Sequence, residues 1–268
     1  MGDVVANGIK IHYTRTGANK KPLVLLHGIT DSGLCWPRLA EALKHDYDLI
    51  MPDARAHGLS DAPDTAYTYQ DMANDVAGLI EALGLHKAAV LGHSMGAMTA
   101  AVLAANHPQR VACLVLEDPP WREALPTPQE QEAMAADWER LILARKTMTL
   151  EQMIEESYQR APTSKRWDKS EFAPWAEAKQ RVDPKIIRLL RSGPMRYDDV
   201  VPHLACPTLL ITADPALGAI VTPELAQKIA GMNAQITVAH IAGAGHNIRR
   251  EQLDEYLRAV TAFLQKAY

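Results

Sequence analysis

Short apolar runs alternate with helical patterns through the first part of this chain. The runs at residues 23–26, 47–51, 88–91 and 111–116 are apolar enough for strands that are covered on both faces. Helical patterns separate them, at residues 34–43, 69–83 and 97–105. Strands that alternate with helices in this way predict a parallel sheet with helices on both faces.

Further strands are predicted at both ends of the chain. Residues 9–13 alternate between apolar and polar side chains, and the Asn7-Gly8 turn before them favours a hairpin with residues 3–6. Late in the chain the rhythm resumes, with strands at 208–212 and 236–240, a helix at 223–230, and a closing amphipathic helix that carries Leu253, Tyr256, Leu257, Val260 and Leu264 on one face. Together these segments predict an eight-stranded, mostly parallel sheet flanked by helices.

Between residues 121 and 198 strand signals almost disappear. Helices are predicted at 130–146, 150–160 and 184–191, and prolines interrupt the stretch at 126, 128, 162, 174 and 194. Four of the five tryptophans lie here, and they need apolar surroundings: Trp121, Trp138, Trp167 and Trp175. An insertion after a strand lies over the edge where open α/β sheets bind ligands. We therefore predict a core domain of residues 1–120 and 199–268 and a helical cap, or lid, of residues 121–198.

Composition narrows the classes of function. The chain has 268 residues, 47% of them apolar, which is enough for one large core. A net charge of −4 gives no reason to expect nucleic acid or a membrane as partner, and neither a signal peptide nor a membrane span is visible. The three cysteines lack metal-site spacing and fit reduced thiols. The expectation is a cytoplasmic monomer or homodimer that binds a small molecule and no metal.

The most specific chemical signal is the segment of residues 92–96, which reads G-H-S-M-G. It lies between a predicted strand and a predicted helix, and this is the context that a nucleophile elbow requires. The two glycines avoid clashes in the sharp turn, and the N-terminus of the helix favours negative charge beside the serine. The pattern predicts that Ser94 is an activated nucleophile. The alternative is a surface turn that contains a serine by chance.

Four motifs in this order resemble the α/β-hydrolase family, in its serine-nucleophile branch of esterases and lactonases. They are H-G-I-T at 27–30, D-A-R-A-H-G-L-S at 53–60, G-H-S-M-G at 92–96 and G-H-N at 245–247. The chain departs from the family where Thr30 replaces a frequent proline and Ala56 a frequent glycine, and neither change removes a catalytic group. The resemblance implies the α/β-hydrolase fold, with a helical cap inserted after the strand that follows the nucleophile helix.

The resemblance also implies the roles of individual residues. His246 would be the base that activates Ser94. The backbone N–H groups of Ile29 and Met95 would form the oxyanion hole. No cofactor or metal is implied, and His27, His57 and His93 would have structural roles.

The identity of the third triad member is open between three acids. Asp118 ends the strand after the elbow helix, 24 residues beyond Ser94, where some lipases and haloalkane dehalogenases carry their acid. Asp214 lies in the loop that carries the acid in much of the family, but about two positions early. Glu117 precedes Asp118 and should point to the other face of the strand. We prefer Asp118.

The resulting hypothesis is a serine hydrolase that cleaves a small, largely apolar ester or lactone through an acyl-enzyme. The same triad would support C–C bond hydrolysis, amide hydrolysis or perhydrolysis, and a slow-turnover ligand receptor could keep the same fold. Because Trp121 closely follows Asp118, it is the predicted substrate contact. Trp138, Tyr158, Trp167 and Trp175 are weaker candidates.

Overall fold

The computed structural model describes residues 1–65, 67–193 and 195–268, so Pro194 lies outside the described residues. The strands are β1 (Gly2–Ala6), β2 (Ile9–Arg15), β3 (Lys21–Leu26), β4 (Tyr47–Pro52), β5 (Ala88–His93), β6 (Val111–Glu117), β7 (Thr208–Thr212) and β8 (Ile236–His240). The α-helices are α1 (Pro37–Leu43), α2 (Tyr69–Ala82), α3 (Met95–Asn106), α4 (Pro128–Arg145), α5 (Leu150–Arg160), α6 (Lys169–Arg181), α7 (Ile187–Arg191), α8 (Pro223–Met232), α9 (Ile248–Glu251) and α10 (Leu253–Ala267).

All eight strands form one sheet, in the order β1-β2-β4-β3-β5-β6-β7-β8. Only β2 runs against the others, because it pairs antiparallel with both β1 and β4. From β4 to β8 every pairing is parallel, so the carboxyl ends of these strands meet along one edge. The predicted eight-stranded, mostly parallel sheet is confirmed.

The two faces of the sheet bury separate apolar layers. Along β6, Leu114 and Leu116 point into a layer covered by α2, α3 and α8, while Cys113 and Val115 point into a layer covered by α1 and α10. This alternation follows from the two-residue period of a strand. It explains why the central strands are apolar at nearly every position.

The helices α4 to α7, here called the cap, are inserted between β6 and β7. The predicted helices at 130–146 and 150–160 are present as α4 and α5, and the one at 184–191 begins as a 3-10 turn at Pro184–Ile186. The prolines have different effects. Pro128 begins α4 rather than interrupting it, because a first-turn N–H needs no partner within the helix.

Sequence reasoning missed α6, which contains Pro174 in its interior. Such a proline costs roughly 3 kcal/mol in an isolated helix. Packing offsets that cost here, because Phe172 and Trp175 of α6 join a buried aromatic cluster with Met153 and Trp167. No helix in the described ranges is both long and apolar enough to cross a bilayer.

Candidate active site

Ser94 occupies the turn between β5 and α3 in a strained conformation, with φ 52° and ψ −115°. The flanking glycines permit this turn. A Cβ atom on Gly92 would lie 2.3 Å from the carbonyl oxygen of Gly96, and a Cβ atom on Gly96 would lie 2.0 Å from that of Leu26. The G-x-S-x-G spacing therefore reflects two backbone contacts that no side chain could tolerate.

His246 lies in the loop between β8 and α9, and its Nδ1 atom is 2.6 Å from Oδ2 of Asp118. Asp118 is fully buried directly after β6, and its carboxylate also accepts hydrogen bonds from the backbone N–H groups of Ile220 and Val221. An ionised carboxylate only accepts, so Nδ1 of His246 carries the proton. The Nε2 atom of a neutral His246 is therefore left free to accept one.

The other two acids have different partners. Asp214 accepts from the backbone N–H of Gly243 at 2.7 Å and contacts Nε2 of His240 at 3.0 Å, so it holds the start of the loop that carries His246. Glu117 points to the opposite side, towards Arg249, whose backbone N–H donates to it at 3.1 Å. Of the three acids, the structure brings only Asp118 into contact with His246.

Two buried histidines connect the loops around Ile29. Nε2 of His27 accepts from the N–H of Ala54 at 3.0 Å, and Nε2 of His57 accepts from the N–H of Thr30 at 3.3 Å. Burial lowers the pKa of His27 to about 4 and that of His57 to about 3, so both are neutral and can accept these bonds. Their structural role follows from these contacts.

Ile29 and Met95 present the backbone groups expected of an oxyanion hole. Within the described part of the chain, the N–H of Ile29 has no acceptor. Met95 is the first residue of α3, so its N–H has no partner within the helix. Both residues and Ser94 line the same cavity.

His93 packs against the loop that carries His246. Its Nε2 atom lies 2.9 Å from the carbonyl oxygen of His246, and the two rings are 4.7 Å apart. A carbonyl only accepts, so Nε2 carries the proton. Burial, assisted by the charge of Arg249, lowers the pKa of His93 well below its ordinary value, which keeps the ring neutral. His93 is therefore a positioning residue.

The cavity above Ser94 has a volume of about 910 Å³ and extends under the cap. His246 also lines it, whereas the hydroxyl of Ser94 makes no hydrogen bond to any described residue. Apolar side chains form much of the wall, among them Met98, Leu125, Met134, Leu141, Leu189 and Met195. The described residues contain no cluster of three or more His, Cys, Asp or Glu side chains that could hold a metal ion.

Trp121 does not line this cavity, which corrects the prediction that it contacts the substrate. It is 1% exposed in the core of the sheet, where its Nε1 atom lies 3.4 Å from the sulfur of Met98. The chain turns inward after Pro119, whose carbonyl accepts from the N–H of Trp121 at 2.7 Å. The tryptophans that do line the cavity are Trp138, Trp167 and Trp175.

A buried ionic cluster beside the site was not foreseen. Asp31 is surrounded by Lys179, Arg249 and Arg250, which all contact its carboxylate. Burial opposes ionisation, but the charges of Arg250, Lys179 and Arg249 hold the pKa of Asp31 well below its ordinary value. No spacing rule links these positions. Lys179 also lies on α6, the helix that the sequence did not reveal.

Comparison with known proteins agrees with this fold. Residues 21–249 match the family model of the alpha/beta hydrolase fold. The chain is 30% identical to N-formylmaleamate deformylase of Pseudomonas putida, over 98% of this chain and 96% of that protein.

Solved structures give the same result. N-formylmaleamic acid deformylase from Pseudomonas putida S16 superposes with a TM-score of 0.78 at 26% identity, over 97% of this chain and 99% of that one. E-2-(acetamidomethylene)succinate hydrolase superposes with a TM-score of 0.82 at 22% identity, over 98% of each chain, and supports the fold alone. The chain thus belongs to the family of alpha/beta hydrolase fold proteins.

Proposed function

We propose that this protein is a serine hydrolase that cleaves a small carboxylic ester or lactone through an acyl-enzyme. The observation that carries the proposal is the contact of 2.6 Å between His246 and Asp118, at a cavity that Ser94 also lines. A serine hydroxyl is a weak nucleophile until a neighbouring base accepts its proton. His246, held in the required tautomer by Asp118, can provide that base.

The reaction follows from this arrangement. Oγ of Ser94 attacks the substrate carbonyl while Nε2 of His246 accepts the hydroxyl proton. The N–H groups of Ile29 and Met95 stabilise the negative oxygen that forms. His246 then donates the proton to the leaving group. In the second half of the reaction, water attacks the acyl carbon while His246 accepts a proton from it, and His246 returns this proton to Oγ of Ser94 as the acid leaves.

Amide hydrolysis is the second candidate. It uses the same residues, because an amide nitrogen also leaves once His246 has protonated it. The observation in its favour is the similarity along nearly the whole chain to N-formylmaleamate deformylase, at 30% identity. A formamide-type substrate should therefore be tested beside esters and lactones.

The first test compares hydrolysis of p-nitrophenyl butyrate by the wild type and by Ser94→Ala. We expect Ser94→Ala to lose about 10⁴-fold or more in kcat. Ser170→Ala, which changes an exposed serine of the cap, is the control and should retain full activity. Ester turnover that survives in Ser94→Ala would refute the proposal. If the wild type itself is inactive on esters, N-formylmaleamate is the next substrate.

A further inference from the structure

The wall of the active-site cavity carries more positive than negative side chains. Among its described residues, two acids line it, Asp31 and Glu130, against five basic side chains: Arg122, Arg145, Arg160, Lys179 and Arg250. Neither acid is available to a ligand cation. Asp31 is held by three bases, and Glu130 caps α4 through Thr127. The cavity is therefore suited to an anion, which the expectation of a largely apolar substrate did not include.

Arg145 has unused binding capacity. It is 6% exposed at the end of α4, and among the described residues only its Nε atom has an acceptor, Oε2 of Glu156 at 2.8 Å. Glu156 is shared with Arg160, whose Nε lies 3.2 Å from its other oxygen. One carboxylate thus serves two guanidinium groups. The two Nη groups of Arg145 form a planar fork that no described residue accepts from, and this fork matches the geometry of a carboxylate.

Lys179 and Arg145 both contact the indole ring of Trp175. Nζ of Lys179 is 5.1 Å and the guanidinium carbon of Arg145 is 5.5 Å from the ring centre of Trp175. Burial lowers the pKa of Lys179; the charge of Asp31 opposes this shift, and the positive charge of Arg145 adds to it. An anion bound at this end of the cavity would stabilise both positive charges.

This pair of cations also lies beside the reacting centre. Nζ of Lys179 donates to the carbonyl of Thr30 at 3.0 Å, directly after Ile29 of the proposed oxyanion hole. The remaining buried base of the wall, Arg250, is occupied by Glu171, Asn247 and Asp31. Arg145, Lys179 and Ser94 also line the same cavity, so an anion bound by these cations shares that cavity with the acyl group.

We propose that Arg145 and Lys179 form a carboxylate subsite, so that the substrate is a short acyl compound that carries a free carboxylate. This inference rests on the proposed hydrolase function and names its substrate class. Arg145 provides the bidentate contact through its Nη groups. Lys179 has three N–H donors, of which Asp31 and the carbonyl of Thr30 take two, so one donor is left for the anion. Trp175 fixes both side chains by cation–π contact.

The test uses two esters of the same length, monomethyl succinate and methyl butyrate, which differ by a carboxylate in place of a methyl group. The wild type should prefer monomethyl succinate at least tenfold in kcat/KM. Arg145→Gln should lower kcat/KM for this ester about 50-fold, mainly through KM, as expected for losing a charge-assisted contact. The loss on methyl butyrate should be at least tenfold smaller than the loss on monomethyl succinate, and Arg145→Lys should recover part of the latter.

Arg140→Gln is the control, because Arg140 is an exposed arginine of the same helix that pairs with Asp137. It should leave both esters unchanged. Folding should survive in Arg145→Gln, since Glu156 keeps Arg160 as a partner. Equal losses on both esters, or a wild type without preference for the anionic ester, would overturn the subsite.

A separate measurement distinguishes failure of the subsite from failure of the hydrolase proposal. Calorimetric titration of succinate into Ser94→Ala needs no turnover. Binding that weakens at least tenfold when Arg145→Gln is added supports the subsite even if neither ester is cleaved. Succinate that fails to bind, or binds equally to both variants, contradicts it.

Discussion

At the scale of single residues, the candidate triad acids differ in the groups that their carboxylates contact. Asp118 is fully buried and accepts from His246 and from two backbone N–H groups. These contacts fix both the carboxylate and the imidazole that it orients. Asp214 is partly exposed and stabilises a loop instead. The two aspartates should therefore differ in their effect on turnover and not only on stability.

We predict that Asp118→Asn lowers kcat by about 10⁴-fold, because an amide that donates to His246 would favour the wrong tautomer. Asp214→Asn should change kcat less than about tenfold, since its amide oxygen can still accept from Gly243. Steady-state kinetics on one ester, with both variants prepared together, compares them. A larger loss in Asp214→Asn would reverse the assignment.

At the scale of elements, the close approach of α3 to β3 places the serine at the edge of the sheet. Helix α3 is buried along nearly its whole length and contains mostly alanine and other small residues on its inner side. Gly96 lies where the helix meets the carbonyl of Leu26. The helix can approach the strand this closely only because that position has no side chain.

We predict that Gly96→Ala lowers the free energy of unfolding by about 2–3 kcal/mol, as expected for an overpacked core contact. The matched control is Gly231→Ala in α8, where an added Cβ meets no atom within 4 Å. That change should raise the free energy of unfolding by up to about 1 kcal/mol, since alanine favours helix over glycine. Urea unfolding measures both. Equal effects of the two substitutions would contradict the steric explanation.

At the scale of the whole molecule, buried neutral histidines couple stability to pH. The folded pKa is about 4 for His27 and about 3 for His57, against about 6.5 in an unfolded chain. As pH falls below about 6.5, the unfolded chain binds protons that the folded chain does not. The free energy of unfolding must therefore decrease between about pH 6.5 and pH 4, by up to about 1.4 kcal/mol per pH unit for each histidine.

The corresponding prediction concerns how steeply the free energy of unfolding changes with pH. His57→Gln should reduce the slope of unfolding free energy against pH by about one proton between pH 6 and pH 4.5. His86→Gln, at an exposed histidine, is the control and should keep the wild-type slope. Urea unfolding at several pH values provides the slopes. An unchanged slope in His57→Gln would show that this histidine does not contribute.

Local patterns in the sequence were sufficient to predict the sheet and the turn that carries Ser94. Apolar runs mark the buried strands, because both faces of a central parallel strand are covered. The spacing of Gly92, Ser94 and Gly96 marks the turn, because its steric demands fall on neighbouring positions of the chain. These features depend on contacts that are short in sequence or periodic along one element.

Only the tertiary structure decided which distant side chains meet. The contact between Asp118 and His246 spans 128 residues. The sequence favoured Asp118 over Asp214 only through its resemblance to one branch of the family, and not through any pattern that links Asp118 to His246. The inward turn of Trp121 and the helix that tolerates Pro174 depend on packing against other elements. The cationic wall of Arg145 and Lys179 likewise exists only once α4 and α6 pack over the sheet. Charge and aromatic contacts between separate helices produce no periodic pattern in the sequence, so the sequence does not predict them.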